Sequence, residues 1–214
     1  YSKQFWQRPF SMSPRRNRNS KPAPHNRAND SFVRIIGGDW RSRKLSFPES
    51  EGLRPTPDRV RETLFNWLQA HTPAAKCLDL FSGSGALAFE ALSRGAAHAT
   101  LIDASRLVCN SLKQNLHELK AQNAEVLEID ATQWLLQQAN SEFRYDLVFL
   151  DPPFNKDLVS GICQLLEENQ VLAEGSMIYI ETERSLSSLS VPDNWQLYRD
   201  KQAGDVSYRL YKRN

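Results

Sequence analysis

The chain has 214 residues, 40% of them hydrophobic, which is enough for one domain with a substantial core. No run approaches the roughly 18 apolar residues of a transmembrane helix, and the first residues lack a signal-peptide pattern, so we expect a cytoplasmic protein. The formal net charge of +2 is unevenly divided, because residues 1–30 carry a net charge of +6 and the remainder −4.

The amino-terminal segment, residues 1–31, is rich in Ser, Pro, Asn and Arg, and we predict that it is a disordered tail. Its basic residues indicate contact with a polyanion, although a solvated leader without a role would have the same composition. Phe5, Trp6 and Phe10 are compatible with stacking on bases and equally with docking on the domain.

The three cysteines, Cys77, Cys109 and Cys163, lie in apolar runs, and their spacing matches no metal-binding pair. We expect small buried thiols in a reducing compartment and no metal site.

Residues 32–70 are predicted to form a small N-terminal β-hairpin followed by a helix. Two strands, at 32–36 and 40–47, flank a Gly-Gly-Asp turn. Thr56 is a candidate N-cap, placed before a proline that would be the first residue of an amphipathic helix over 58–70.

Residues 71–214 are predicted to form the main domain, in which strands and helices alternate. The strands are expected at about 76–81, 98–103, 124–129, 145–150, 176–181, 195–200 and 205–212, with helices between the first five at about 84–94, 105–120, 131–139 and 155–169. This alternation predicts a doubly wound, Rossmann-like α/β sheet. Because the connection between the last two strands, around Gly204-Asp205, is too short for a crossover helix, the mostly parallel seven-stranded sheet must end in an antiparallel hairpin.

A glycine-rich loop follows the first strand of this sheet. Gly83, Gly85 and Ala88 satisfy the pattern G-x-G-x-x-G/A, and Asp103 lies 20 residues after Gly83, at the end of the second strand. The Asp103 carboxylate would accept hydrogen bonds from ribose hydroxyls in an NAD site or in an S-adenosylmethionine site. The loop by itself therefore leaves both cofactors open.

Asp79, directly before the loop, favours S-adenosylmethionine. An unpaired carboxylate there would repel the pyrophosphate of NAD but attract the sulfonium and ammonium groups of the methyl donor. Asp130, at the end of the third strand, would bond the adenine amino group, although a helix N-cap explains it equally well. The predicted cofactor-binding residues are Asp79, Phe81, Ser82, Gly83, Gly85, Asp103 and Asp130.

The tetrapeptide Asp151-Pro152-Pro153-Phe154 directly follows the fourth strand, at the sheet edge where open α/β sheets bind ligands. Its prolines have no N–H donors, so the Asp151 carboxylate and the Pro152 carbonyl remain as acceptors. Two acceptors suit the exocyclic amino group of a base, whose lone pair they would direct toward a donor methyl group. Phe154 would stack on a base that has been flipped out. We therefore predict Asp151, Pro152 and Phe154 as catalytic residues.

The two motifs and several shorter ones resemble the bacterial 16S rRNA (guanine(966)-N(2))-methyltransferases, the RsmD family. The similarity extends over about residues 33–212, and its signatures are Arg34–Gly38, Trp40-Arg41, Arg43–Leu45, Leu53–Thr56 and Asp58–Asn66. It implies a class I methyltransferase that transfers a methyl group from S-adenosylmethionine to N2 of a guanine. The implied partner is 16S rRNA or a small-subunit assembly intermediate. Independently of the resemblance, we expect a monomer.

The resemblance also assigns roles outside the two motifs. It implies that residues around Thr56 close over the cofactor, and that four arginines face RNA phosphates: Arg34, Arg41, Arg43 and Arg54. For each arginine a solvated charge is the alternative. Asp151 is compatible with guanine, because two carboxylate oxygens can accept the adjacent N1–H and N2–H donors. Two other functions stay open: an NAD-dependent oxidoreductase and a non-catalytic RNA-binding module.

Overall fold

The computed structural model describes residues 30–49, 53–153, 156–186 and 188–214. In chain order its elements are β1 (Asp30–Arg34), β2 (Lys44–Pro48), α1 (Asp58–Trp67), β3 (Lys76–Asp79), α2 (Ala86–Ser93), β4 (His98–Asp103), α3 (Arg106–Leu119), β5 (Ala124–Glu128), α4 (Ala131–Leu136), β6 (Tyr145–Leu150), α5 (Lys156–Glu168), β7 (Leu172–Glu183), β8 (Trp195–Ala203) and β9 (Val206–Arg213). None of the described helices has both the length and the apolar character needed to cross a membrane. Residues 1–29 of the predicted tail lie outside the described part. Its last two residues, Asp30 and Ser31, belong to β1, so the predicted end of the tail at residue 31 is wrong.

The main sheet has seven strands in the order β5-β4-β3-β6-β7-β9-β8. The strands β5, β4, β3, β6 and β7 are parallel to one another, and β9 is antiparallel to both β7 and β8. The predicted mostly parallel sheet with a terminal antiparallel hairpin is therefore confirmed. The strand order reverses between β3 and β6, and ligands of open α/β sheets bind in the crevice at such a reversal.

The small sheet pairs β1 with β2 in antiparallel register, as predicted, but the second strand begins at Lys44 and not at residue 40. The preceding loop is held by Ser93 at the end of α2, which accepts from the Asp39 N–H at 2.8 Å. Gly38 has a φ of +77°, and a Cβ atom there would lie 1.9 Å from the Ser93 carbonyl oxygen. This close docking on a helix draws the loop away from strand pairing.

Two hydrophobic layers cover the faces of the main sheet. Along β6, Leu147 and Phe149 face one layer and Val148 and Leu150 the other, as the alternation of side chains in a strand requires. The first layer includes α1, α2, α3 and the small hairpin, and the second includes α4 and α5. The hairpin thus shares a core with the sheet, while the predicted domain boundary at residue 71 stays a prediction. All three cysteines are buried and free.

A buried ion pair joins the hairpin, α1 and α2. Glu90 is fully buried, and Arg61 donates to it from Nη1 at 3.2 Å. The Glu90 carboxylate also accepts the N–H groups of Ile36 at 2.9 Å and Gly37 at 2.8 Å, and the Arg94 Nε at 2.8 Å. Four donors on one carboxylate compensate its desolvation, so the hairpin is fixed on α2 by charge as well as by apolar packing.

Candidate functional site

The carboxyl ends of four adjacent strands bring acidic residues together. Asp103 ends β4, Asp79 ends β3, Asp151 directly follows β6, and Glu181 lies near the end of β7. In the register of the sheet, Asp79 is opposite Phe149, two residues before Asp151. The edge at the strand-order reversal is therefore lined by carboxyl groups.

The glycine loop has the geometry that the sequence pattern predicts. The Gly83 N–H donates to Asp103 Oδ2 at 3.0 Å, which ties the loop to the end of β4. Asp103 Oδ1 accepts the Ser105 N–H at 2.9 Å, so both carboxylate oxygens are oriented. Gly85 occupies the N-cap position of α2 with a φ of +77°, and a Cβ there would lie 2.3 Å from the Phe89 ring. Only glycine fits this left-handed position without displacing the ring.

Asp79 is almost completely buried, with 2% of its surface exposed. Burial raises its pKa to about 7, the Phe81 N–H acts against this rise, and the nearby Asp103 carboxylate adds to it. A carboxyl group whose ionisation is costly in the protein alone gains most from a cationic ligand. Ser82 donates its hydroxyl to the Asp79 carbonyl at 3.0 Å, so it shapes the loop.

Replacing Asp79 with asparagine is expected to stabilise the ligand-free protein at alkaline pH. Folding raises the pKa of this acid from 3.8 to about 7, so the folded state binds the proton more tightly. Its stabilising contribution is complete below pH ~4 and is lost as the pH rises through 7, a loss of about 4 kcal/mol. Urea unfolding at pH 8 should show Asp79→Asn more stable than wild type by about 2–4 kcal/mol, with little difference at pH 4. Asp193→Asn, at an exposed position, should show no such pattern, and a pH-independent difference for Asp79→Asn would contradict the assignment.

Glu181 is the functional-site acid that sequence reasoning missed. Its Oε2 accepts the Tyr179 hydroxyl at 3.0 Å and the Thr56 hydroxyl at 3.4 Å. Burial raises its pKa, and the bonds from Tyr179 and Thr56 lower it. The pKa of Asp151 is raised well above its usual range by burial, by Glu181 and by Asp79. Glu181 ends the predicted strand 176–181, which is a sequence signal for an acid at this edge, but its hydrogen bond to Thr56, 125 positions away, has no local signal.

Thr56 belongs to a segment that crosses this edge. Its side chain is 5% exposed and reaches Glu181, while Arg61 Nε donates to its carbonyl at 3.1 Å. At the other end, Leu53 lies so close to Gly83 that a Cβ there would be 2.8 Å from its Cδ1. The predicted N-cap role of Thr56 is wrong, because Pro57 takes that position. The Thr56 hydroxyl instead donates to Glu181 on β7.

The remaining predicted cofactor and base contacts differ in how the structure places them. Asp130 caps α4 by accepting the Gln133 N–H at 3.0 Å, which is the alternative role expected for it from the sequence. Pro152 is buried beside Asp151, and Phe81 is half-buried at the start of the glycine loop. Phe154 lies outside the described residues. Among the described His, Cys, Asp and Glu side chains, no group of three or more is arranged to hold a metal ion.

The four predicted RNA-binding arginines are all exposed. Arg34 pairs with Asp58 at 3.2 Å, and Arg43 donates to the Glu118 carbonyl at 3.3 Å. Both contacts are at the surface and leave other guanidinium N–H groups available. Arg41 lies in the hairpin loop and Arg54 in the segment that crosses the site, so their contact with RNA stays a prediction.

Similar proteins cover most of this chain. The model of a family described as "Conserved hypothetical protein 95" matches residues 33–212. A relative from Escherichia coli named ribosomal RNA small subunit methyltransferase D is 51% identical over 188 residues, which are 88% of this chain and 93% of that protein. The solved structure of the putative methyltransferase yhhF from Escherichia coli superimposes with a TM-score of 0.80 at 49% identity, covering 86% of this chain and 99% of that one. A putative SAM-dependent methyltransferase from Streptococcus mutans shares the fold with a TM-score of 0.68 at 16% identity, over 86% of this chain and 55% of that one.

Proposed function

Because this chain belongs to the family described as conserved hypothetical protein 95, we propose that it methylates RNA of the small ribosomal subunit, at N2 of a guanine. The methyl donor is S-adenosylmethionine, on which the structurally similar methyltransferase from Streptococcus mutans is described as dependent. The observation that carries the proposal is the position of Asp151, which stands in a row of buried and half-buried acids on adjacent strands beside the glycine loop.

The donor site is formed by the ends of β3 and β4. Asp103, which already orients the glycine loop, would accept the ribose hydroxyls, and Asp79 would face the cationic part of the donor. The glycines at 83 and 85 let the loop backbone pack closely against Leu53 and Phe89, and Thr56 bonds to Glu181 at the same sheet edge. When bound, the donor supplies an electrophilic methyl group on a positively charged sulfur. A row of acids at this edge would repel the pyrophosphate of NAD, which argues against an oxidoreductase.

The base site is formed by the turn after β6. The Asp151 carboxylate and the Pro152 carbonyl accept N–H groups of the base, and the two adjacent donors of guanine, N1–H and N2–H, match that arrangement. Phe154 stacks on the flipped base, at a contribution of roughly 1–3 kcal/mol. These contacts align the amino nitrogen for in-line displacement, and no residue of the chain needs to form a covalent bond with the base.

The RNA outside the flipped base meets the exposed arginines, Arg34, Arg41, Arg43 and Arg54. Their charges neutralise phosphates without reading sequence, so they determine affinity and orientation. The partner is 16S rRNA or a small-subunit assembly intermediate, and the enzyme acts as a monomer.

Mapping the modified nucleotide tests the proposal directly. Protein-free 16S rRNA and isolated small subunits are incubated with the full chain and labelled S-adenosylmethionine, and the product is digested and mapped. We expect label at N2 of a single guanine in one of the two substrates. Label on adenine would contradict the base assignment, and RNA binding without label would indicate a non-catalytic module. Calorimetric titration should detect S-adenosylmethionine but not NAD, and the reverse would indicate an oxidoreductase.

A further inference from the structure

We propose that Asp151 and Glu181 form a carboxyl pair that shares one proton in the free enzyme, releases it when the cationic methyl donor binds, and takes up the proton that the amino group loses on methylation. In this pair Glu181 is a positioning residue, because it acts through Asp151. The inference rests on the proposed function and adds a proton acceptor to its site.

The register of the sheet places the two carboxyl groups side by side. Leu150 on β6 is the parallel partner of Ile180 on β7, so the next residues along the two strands are Asp151 and Glu181. Neighbouring strands lie about 4.8 Å apart, and alternation directs both side chains to the face that carries Phe149. Two half-buried carboxyl groups on neighbouring strands, close enough for the Glu181 charge to raise the pKa of Asp151, do not both ionise readily, so one proton is held between them.

The hydrogen bonds around the pair are asymmetric. Glu181 Oε2 accepts two hydroxyl groups, from Tyr179 at 3.0 Å and from Thr56 at 3.4 Å, and both donors are buried. Among the described residues no group donates to the Asp151 carboxylate. Hydrogen bonds to an ionised carboxylate stabilise its charge, so Glu181 is the charged member and Asp151 carries the proton. The pKa of Asp151, raised well above its usual range, agrees with this division.

The groups that face the pair from neighbouring strands do not supply positive charge. They are Asp79 from β3, Tyr179 from β7 and Tyr208, which is opposite Glu181 on β9. In the described ranges neither Asp151 nor Glu181 forms a salt bridge with Lys or Arg. A cation in the crevice is therefore the missing partner of the pair, and its arrival favours loss of the shared proton.

The proton that methyl transfer releases from the amino group is taken up by this pair of carboxyl groups. A bond forms between the amino nitrogen and the methyl carbon, the bond between that carbon and sulfur breaks, and sulfur keeps the electron pair. The nitrogen, which would otherwise carry a positive charge, gives one proton to the Asp151 carboxylate. The pair returns to its singly protonated form beside a neutral thioether. The charge of the carboxyl pair thus balances the charge of the ligand. We therefore predict that binding of the methyl donor releases a proton from the pair, and that binding of the demethylated product does not.

Calorimetry counts these protons without any turnover. The full chain is titrated at pH 7.5 with S-adenosylmethionine and with S-adenosylhomocysteine, in two buffers of different ionisation enthalpy, phosphate and Tris. We expect wild type to release about one proton with the donor and clearly fewer with the product. Glu181→Gln should lose most of the release with the donor. Glu183→Gln, the same change further along β7, should behave as wild type.

The outcomes separate this inference from the proposed function. Failure of wild type to bind S-adenosylmethionine would contradict the function itself, whereas binding with the same heat in both buffers would overturn only the carboxyl pair. Full proton release from Glu181→Gln would assign the proton to Asp79 and also overturn it. If Glu181→Gln does not fold, Thr56→Val decides, since it removes one donor to the Glu181 charge. In this variant the affinity for S-adenosylmethionine, plotted against pH, should have its midpoint at a higher pH than in wild type. An unchanged midpoint would exclude the pair.

Discussion

Replacement of Asp151 by alanine is expected to lower the rate of methyl transfer about a thousand-fold or more, while S-adenosylmethionine still binds within about ten-fold of wild-type affinity. Asp151 follows β6, whereas the residues assigned to the donor lie at the ends of β3 and β4. The substitution therefore removes the acceptor of the base and the acceptor of its proton, and it leaves the glycine loop intact. In free-energy terms the expected loss is about 4 kcal/mol of transition-state stabilisation.

Transfer of tritium from labelled S-adenosylmethionine to RNA measures this effect under single-turnover conditions, and calorimetry measures donor binding. Asp151→Asn keeps one carbonyl acceptor but cannot take a proton, so we expect a rate between those of wild type and Asp151→Ala. Asp193→Ala, an exposed aspartate away from the edge, is the matched control and should keep full activity. Unchanged labelling by Asp151→Ala would remove the carboxylate from the mechanism.

Replacement of Glu90 by alanine is expected to destabilise the fold by about 3–5 kcal/mol. Glu90 is 0% exposed and Arg61 1% exposed, so the substitution leaves a buried guanidinium without its fully buried anionic partner. It also leaves the N–H groups of Ile36 and Gly37 without their acceptor. Because these groups anchor the hairpin, we expect its loop to detach before the main sheet unfolds.

Urea unfolding followed by circular dichroism measures the stability change, and amide hydrogen exchange reports the loop. The double variant Glu90→Leu with Arg61→Leu removes both charges and should recover part of the lost stability, as it exposes no lone buried charge. Glu118→Ala, at an exposed helical position, should change stability by less than about 0.5 kcal/mol. A loss for Glu90→Ala as small as that of Glu118→Ala would mean that the pair contributes nothing to the fold.

The sequence was sufficient for the main sheet and for the motifs at its edge. Apolar runs such as 147–150 and 177–180 predict buried parallel strands, and the two-residue connection at 204–205 requires the antiparallel end. The spacing from Gly83 to Asp103 predicts that both lie at the cofactor edge, and in the structure the Gly83 N–H donates to Asp103 Oδ2 at 3.0 Å. The resemblance to the RsmD family, drawn from the same motifs, is confirmed by the family match and by the relatives.

The errors and omissions share a physical cause, namely contacts between residues far apart in the chain. Glu181 is fixed by Thr56, 125 positions earlier, and Glu90 by Arg61, 29 positions earlier. A single charged residue in a strand or helix has no local feature that separates a solvated charge from a buried one. The second hairpin strand begins later than predicted for the same reason, because the loop before it is also held by Ser93, more than 50 positions later in the chain. Thr56 likewise satisfies the local rules for an N-cap but bonds to β7.

The docking of the hairpin loop on α2 fixes the distance between RNA bound at this loop and the methyl donor bound at the glycine loop. α2 begins at the glycine loop, its last residue, Ser93, holds the hairpin loop, and all eight residues of the helix are buried. A helix of that length spans about 12 Å and does not stretch. A phosphate bound by Arg41 would therefore lie at a fixed distance from the methyl donor. The length of α2 would then determine which nucleotide of the bound RNA reaches the crevice.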